Sequence, residues 1–381
     1  MYFDNSATTQ PYEKVLSAYK KASESYFANP SSFHHKGGEA ERLLESARSQ
    51  IARELGVEAK CCLFTSGGTE GNNIVIKGAA ASRKNIGRHI ITTAVEHPSV
   101  MESCVYLEEK GYRVTYLPVD REGRISVEEV RRALKPDTIL VTVGHTNSEI
   151  GTVQPIEAIG EMLTHYPNVY FHTDYVQGAA KSPLNIEKAG LDFVTVSAHK
   201  FHGLNGTGML YKHPRTTLEP LMHGGGQENG LRSGTENIAG AAAMAKALRL
   251  AKENYAANSR RIEELKKWTA ARLKKSGGVL NSPVSRSSPF ILNVSFPGIK
   301  PEVLVEALAG RGVSISTKTA CASKNSEPSA VVLAVTGEQK LAESAVRISF
   351  SADTQKQEAN YLCSICEEIL PQLKKVMEEQ Q

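Results

Sequence analysis

The chain has 381 residues and carries 45 Lys and Arg against 41 Asp and Glu, a formal charge of +4. At this length roughly three quarters of the unfolded surface can be buried, so no disulfide or metal staple is needed and two domains are expected. So small a charge makes no case for a direct nucleic-acid partner, and no apolar run approaches the ~18 residues of a membrane span.

The first residues, Met1-Tyr-Phe-Asp-Asn-Ser6, carry an acid where a secretory signal would be basic, so a cytoplasmic location is expected. Short β-branched runs follow at 61–65, 89–93, 113–117, 138–143, 169–173 and 192–196. Helical patterns at 72–78, 126–134 and 156–166 separate some of them, and the alternation predicts an α/β domain around a mostly parallel sheet. Residues 239–275, rich in Ala, Lys, Glu and Arg, predict two long helices or one bent one, with the basic pairs Arg260-Arg261, Lys266-Lys267 and Lys274-Lys275 forming a solvated face. After Gly277-Gly278 a second unit is predicted, with strands at 290–296, 313–317 and 346–350 and helices at 301–309 and 356–377, a smaller α+β domain.

The six cysteines, Cys61, Cys62, Cys104, Cys321, Cys363 and Cys366, do not read as a disulfide framework in so long a cytoplasmic chain. Cys61 and Cys62 read as packing residues, and Cys363 and Cys366 as neighbours on one face of a helix.

Ligands of parallel sheets sit beyond the carboxyl ends of the strands. There the chain places Thr69, His97, Asn147, Asp174 and Lys200. Lys200, in Ser197-Ala-His-Lys200 after the run 192–196, can lose hydration and become nucleophilic enough for a Schiff base. Asp174, at another strand end, is what pyridoxal phosphate needs opposite its ring nitrogen. Ser66-Gly-Gly-Thr-Glu-Gly-Asn-Asn73, between strand and helix, suits a phosphate; the stretch His223 to Asn237 offers Arg232 and Thr235 as anion contacts. Cys321 lies in a small polar stretch, 314–329, between Lys318 and Lys324, conditions that favour a thiolate; Pro328 would favour the first turn of the helix that follows. Arg347 can hold a carboxylate through two hydrogen bonds.

These stretches together resemble the cysteine desulfurases of the class V aminotransferase group, in the branch with the longer nucleophile loop. The matching segments run in order from Phe3-Asp-Asn-Ser-Ala-Thr-Thr9 through Asn29-Pro-Ser-Ser32, Val95-Glu-His-Pro-Ser-Val100, His145-Thr-Asn-Ser-Glu-Ile-Gly151, the glycine triplet Gly224-Gly225-Gly226 and Ala320-Cys-Ala-Ser323 to Arg347. The resemblance implies the pyridoxal-phosphate transferase fold of type I: a large domain, 14–255, with a mostly parallel mixed seven-stranded sheet, and a small α+β domain made of 1–13 and 256–381.

It also implies a site. Lys200 would anchor pyridoxal 5'-phosphate, with Asp174 on the ring nitrogen, Gln177 on the ring hydroxyl and His97 stacked on the ring and sharing acid–base work. Gly68, Thr69, Ser197 and His199 would bind the phosphate, and Thr235 would reach it from the neighbouring subunit of a homodimer. Asn147 and Arg347 would grip the carboxylate of L-cysteine. Cys321 would take the sulfur as a persulfide, leaving L-alanine, and pass it to an acceptor for iron–sulfur cluster assembly or for tRNA or thiamine thiolation. A transient iron–sulfur contact at Cys321 is the one metal expectation. A selenocysteine lyase or another class V enzyme on the same fold, and a non-catalytic sulfur-relay scaffold, are the alternatives; Cys321 disfavours the first and the intact Lys200, Asp174 and His97 set the second. The chain departs from the family pattern at Asn229, at Leu204-Asn205 and at Lys318-Thr319, none of which removes a group the chemistry needs.

Overall fold

A computed structural model describes residues 1–253, 255–283, 286–318 and 327–379. The main sheet contains β1 (Cys62–Thr65), β2 (His89–Thr93), β3 (Arg113–Leu117), β4 (Thr138–Thr142), β5 (Tyr170–Asp174), β6 (Phe193–Ser197) and β7 (Gly208–Lys212), in the spatial order β1-β7-β6-β5-β4-β2-β3. Strands β2 to β6 pair in parallel, whereas β7 is antiparallel to both β6 and β1. The expected mostly parallel, mixed seven-stranded sheet is present. Its antiparallel strand has a simple cause: residues 198–207 are too few for the helical crossover that a parallel return requires, so the chain doubles back after β6. Lys200 rides on that return, in a 3₁₀ turn, Ala198–Lys200.

The helices in chain order are α1 (Glu13–Ser25), α2 (His35–Leu55), α3 (Gly68–Ser82), α4 (Pro98–Glu109), α5 (Val127–Ala133), α6 (Ile156–Leu163), α7 (Ile238–Glu253), α8 (Tyr255–Lys275), α9 (Pro301–Ala309), α10 (Ala330–Thr336), α11 (Gln339–Ala342) and α12 (Lys356–Glu379). Successive strand residues point to opposite faces. Ile90, Leu140 and Phe193 accordingly pack with α3 and α4 on one side, while Ile91, Val141 and Val194 pack with α2, α6 and α7 on the other. Covered on both faces, the central strands read as continuous apolar runs rather than alternating ones.

A second, antiparallel sheet, in the order β10-β9-β8, consists of β8 (Val279–Leu280), β9 (Ile291–Ser295) and β10 (Ala345–Ser349). Its own core joins Phe290, Leu292, Val294, Val346 and Ile348 to Ile262 and Leu273 of α8 and to Leu362, Cys363 and Cys366 of α12. Cys363 and Cys366 are buried packing residues; burial pushes the first thiol up to about 11 and the second to about 12. Cys61 and Cys62 are likewise buried.

Two expectations need correction. Residues 313–317 form no strand: Ser314 makes a single bridge to Tyr2 and Ser316 a single bridge to Arg347, because the N-terminal residues wedge in beside β10 and take the pairing partner a ladder would need. Pro328 is not in the first turn of α10; Ser329 caps that helix, its hydroxyl accepting from Val332 N–H at 3.1 Å. No helix among the described residues is long and apolar enough to cross a membrane.

Candidate active site

The carboxyl ends of the parallel strands open onto a cavity of about 170 Å³ lined from both sheets. Gly68, Thr69, His97, Asn147, Asp174, Gln177, Ser197, His199, Lys200 and Arg347 all face it. Thr235 does not: it is exposed on the loop before α7. Cys321 lies outside the described residues, as do Ala320 and Lys324. Among the described residues no cluster of three or more His, Cys, Asp or Glu side chains could hold a metal ion.

The wall at the start of α3 comes from the turn after β1. Glycine is required at 68, where an added Cβ would meet Val176 Cγ2 at 2.8 Å, and at 208, where it would meet Gly67 Cα at 2.6 Å. The close approach brings Ser197, the last residue of β6, beside the turn, and the helix N-terminus adds partial positive charge. Arg232, read from the sequence as an anion contact, already has an anion: its Nε donates to Glu70 Oε1 at 2.8 Å. Burial works against the Glu70 carboxylate, but Arg232 and the Ser66 N–H together hold it below its ordinary range.

Asp174 ends β5. Its Oδ1 accepts from Val176 N–H at 2.9 Å and its Oδ2 from Asn72 Nδ2 at 2.8 Å. Asn72 donates as well to Ser99 Oγ at 2.9 Å, and Ser99 in turn lies 2.8 Å from His97 Nδ1. His97 caps α4, its Nδ1 also accepting from Ser99 N–H at 3.1 Å, which leaves the ring proton on Nε2. Burial lowers the His97 pKa, with Asp174 opposing and Lys200 adding to the effect. Burial and the neighbouring Lys200 and Lys181 push His199 down to about 3, so it is neutral.

Lys200 Nζ donates to the carbonyl oxygens of Ser6 and Ala7 at 2.5 and 2.7 Å. Gln177 Nε2 donates to the same Ser6 oxygen at 2.9 Å, while its Oε1 is buried without a partner. Across the cavity Arg347, 1% exposed, donates from Nη2 to Asp4 Oδ1 at 2.8 Å and from Nη1 to Ser148 O at 3.0 Å. Asn147 Nδ2 donates to Val95 O at 2.9 Å, and its Oδ1 accepts from the N–H groups of Glu149 and Ile150. Most of that amide's capacity thus goes to shaping its own turn.

Sequence reasoning missed Asn72, Ser99 and Glu96. Asn72 sits three residues beyond Thr69 on α3, so helical spacing would have found it on the face that carries the phosphate turn. Glu96 lines the cavity and accepts from Gly144 N–H and Thr93 Oγ1; burial raises its pKa to about 7.

The donor set fits pyridoxal phosphate. It offers a carboxylate held for a protonated ring nitrogen (Asp174), an orphaned amide oxygen beside it (Gln177 Oε1) and a second on the same wall (Asn72 Oδ1). It adds an amine for the carbonyl carbon (Lys200) and a helix N-terminus with a hydroxyl for the phosphate.

The family model described as aminotransferase class-V matches residues 1–362. A cysteine desulfurase IscS of Dictyoglomus turgidum is 40% identical over 99% of this chain and 96% of its own length. A NifS/IcsS protein homolog of Lactobacillus delbrueckii subsp. bulgaricus is 43% identical over 99% and 98%. Among solved structures, a NifS-like protein superposes with a TM-score of 0.93 at 36% identity, covering 98% of this chain and all (100%) of its own. The protein SspA in complex with cysteine does so with 0.82 at 33% identity, covering 92% of this chain and 98% of its own.

Proposed function

The chain belongs to the class-V aminotransferases, and from that premise we propose that it acts as a pyridoxal-phosphate-dependent cysteine desulfurase, with Cys321 as the sulfur-accepting nucleophile. The observation that carries this reading is the convergence on one cavity of Lys200, Asp174, His97 and Gln177 from the large sheet with Arg347 from the small one. When bound, the cofactor supplies a protonated ring that spreads the negative charge left at the substrate Cα after loss of its proton.

The chain's own residues supply the rest. Lys200 would hold the cofactor, and Asp174, itself fixed by Asn72 and the Val176 N–H, would keep the ring nitrogen protonated. The turn at Gly68 and Thr69, with Ser197 and His199, would seat the phosphate, and Gln177 Oε1 would take the ring hydroxyl. His97 would lie against the ring, with its Nε2 proton available for acid–base work because Nδ1 is already committed as an acceptor. Arg347, assisted by Asn147, would bind the cysteine carboxylate. Displaced by the substrate amine, Lys200 would be free to remove the Cα proton. The Cys321 thiolate then attacks the substrate sulfur: the Cβ–S bond breaks, an S–S bond forms, Cβ takes up one proton and Cα regains the one it lost, giving L-alanine. Cysteine and one protein thiol become alanine and one protein persulfide.

A homodimer is part of the proposal. Thr235 is exposed and absent from its own cavity, while the loop that bears it is pinned by Glu228, whose carboxylate takes Arg48 Nη1 at 2.7 Å and Nη2 at 3.0 Å. That is the arrangement expected of a residue delivered to a neighbouring subunit's phosphate. The persulfide would pass to an acceptor for iron–sulfur assembly or for tRNA or thiamine thiolation, in the cytoplasm, with any iron–sulfur contact at Cys321 transient. The division into 14–255 and 1–13 with 256–381 is supported by the two sheets and their separate cores.

Incubating the holoenzyme with L-cysteine and a thiol reductant tests the reading. Alanine and sulfide should appear in equal amounts, and Lys200→Ala should yield neither. Sulfide with pyruvate in place of alanine would favour a β-eliminating lyase.

A further inference from the structure

Arg347 is a permanent cation in one of the most deeply buried positions of the molecule, 1% exposed. A charge so placed is strongly destabilising unless an anion stays with it. Before any substrate arrives, that anion is Asp4, whose Oδ1 accepts from Nη2 at 2.8 Å; Ser148 O accepts from Nη1 at 3.0 Å, and Nε is buried without a partner. Of the five guanidinium N–H groups, two are thereby committed and the Nε–H is enclosed, so one remains on each Nη for a carboxylate.

Asp4 is also held where it is. It bridges Ser349 of β10, Ser349 N–H donates to Phe3 O at 2.7 Å, and Asn5 Nδ2 donates to Ser349 O at 2.9 Å. The backbone that carries the carboxylate is therefore fixed beside Arg347 when a second carboxylate enters. An incoming carboxylate meets an ion pair rather than a bare cation, and at a separation of a few ångströms the two like charges repel across a medium of reduced dielectric.

We propose that Asp4 is the resident counter-ion of the substrate-carboxylate site. It is a positioning residue that fixes which edge of Arg347 is offered and, through its charge, keeps the affinity for a carboxylate low. Simple acids then hold the site poorly, and only a ligand that also brings an amine for the cofactor binds well. The inference rests on the carboxylate role given to Arg347 above.

The test uses 3-mercaptopropionate, which has the thiol and carboxylate of cysteine but no amine, titrated calorimetrically into the holoenzyme. With Asp4→Asn the probe should bind about tenfold or more tighter, since the repulsion is gone and the probe becomes the only counter-ion. Asp4→Glu keeps the charge and should stay within about threefold of the parent. Unchanged or weaker binding to Asp4→Asn, alongside lost binding to Arg347→Gln, overturns the role of Asp4 and leaves the carboxylate site standing. Should Asp4→Asn not fold, a tenfold gain with Asp4→Glu overturns the proposal instead, because charge would then not be the cause. Unchanged binding to Arg347→Gln undoes the carboxylate site itself and the inference with it.

Discussion

Asn72 shows how the site is held at the scale of single residues. One side-chain amide donates to the Asp174 carboxylate and to the Ser99 hydroxyl, and Ser99 fixes the tautomer of His97. A hydrogen bond to a charged group contributes about 1.5–3 kcal/mol. Asn72→Leu should therefore lower kcat by roughly 10- to 100-fold, while the visible spectrum still shows bound cofactor. A variant with parental kcat would mean that Asp174 and His97 are placed without Asn72. Lys200, Asp174 and His97 were legible from the sequence because each needs its own chemical type at or beyond a strand end, and Arg347, in mid-strand, because only a guanidinium offers a carboxylate two parallel hydrogen bonds. Asn72 and Asp4 were not, since an amide or an acid at those positions has many innocent readings until its partner is known. The Asn147 amide illustrates the opposite difficulty: its place at the cavity was readable, but not that Val95, Glu149 and Ile150 occupy most of it.

Among elements, the antiparallel β7 does the most to shape the site. Gly208 pairs with Thr65 on one side and Ser197 on the other, so β7 holds the phosphate turn and the strand leading to Lys200 in a fixed relation. With Gly67 Cα only 2.6 Å from a Cβ at 208, Gly208→Ala must push the turn outward. Overpacking of this kind costs about 1–3 kcal/mol. Cofactor affinity should fall about tenfold, against a modest drop in thermal midpoint, and cofactor binding followed by absorbance would check it; an unchanged affinity would free the turn from β7. The strand had no strong signal of its own, being short and placed after a polar return. The failed strand at 313–317 is the complementary case: its alternation is real, with Val313 and Ile315 buried, but only pairing makes a ladder, and the N-terminal residues took the partner.

For the whole molecule, the core imposes a pH limit. His172 is enclosed between the hydroxyls of Thr142 and Thr195, and burial pushes it down to about 3; burial likewise pushes His145 to about 4. Below the ordinary histidine pKa of about 6.5 the unfolded chain gains protons that the folded chain refuses, so stability is full at neutral pH and drains away as pH falls towards those values. The loss should amount to a few kcal/mol by about pH 4, seen as a falling urea midpoint, and His172→Asn should flatten that slope. A midpoint independent of pH between 7 and 4, to about the precision of the method, would contradict neutral burial.

The proposed mechanism requires one chain to bring a cofactor pocket from its large sheet and a sulfur-accepting thiol, Cys321, to the same substrate. Its most direct test is the Cys321→Ala holoenzyme mixed with L-cysteine, with alanine measured by chromatography and the peptide containing position 321 weighed in both proteins. The parent should yield alanine and, at position 321, the mass of one added sulfur atom; the variant should bind cysteine, seen as a change in visible absorbance, yet form no alanine. Alanine formed by the variant at the parental rate would contradict the account.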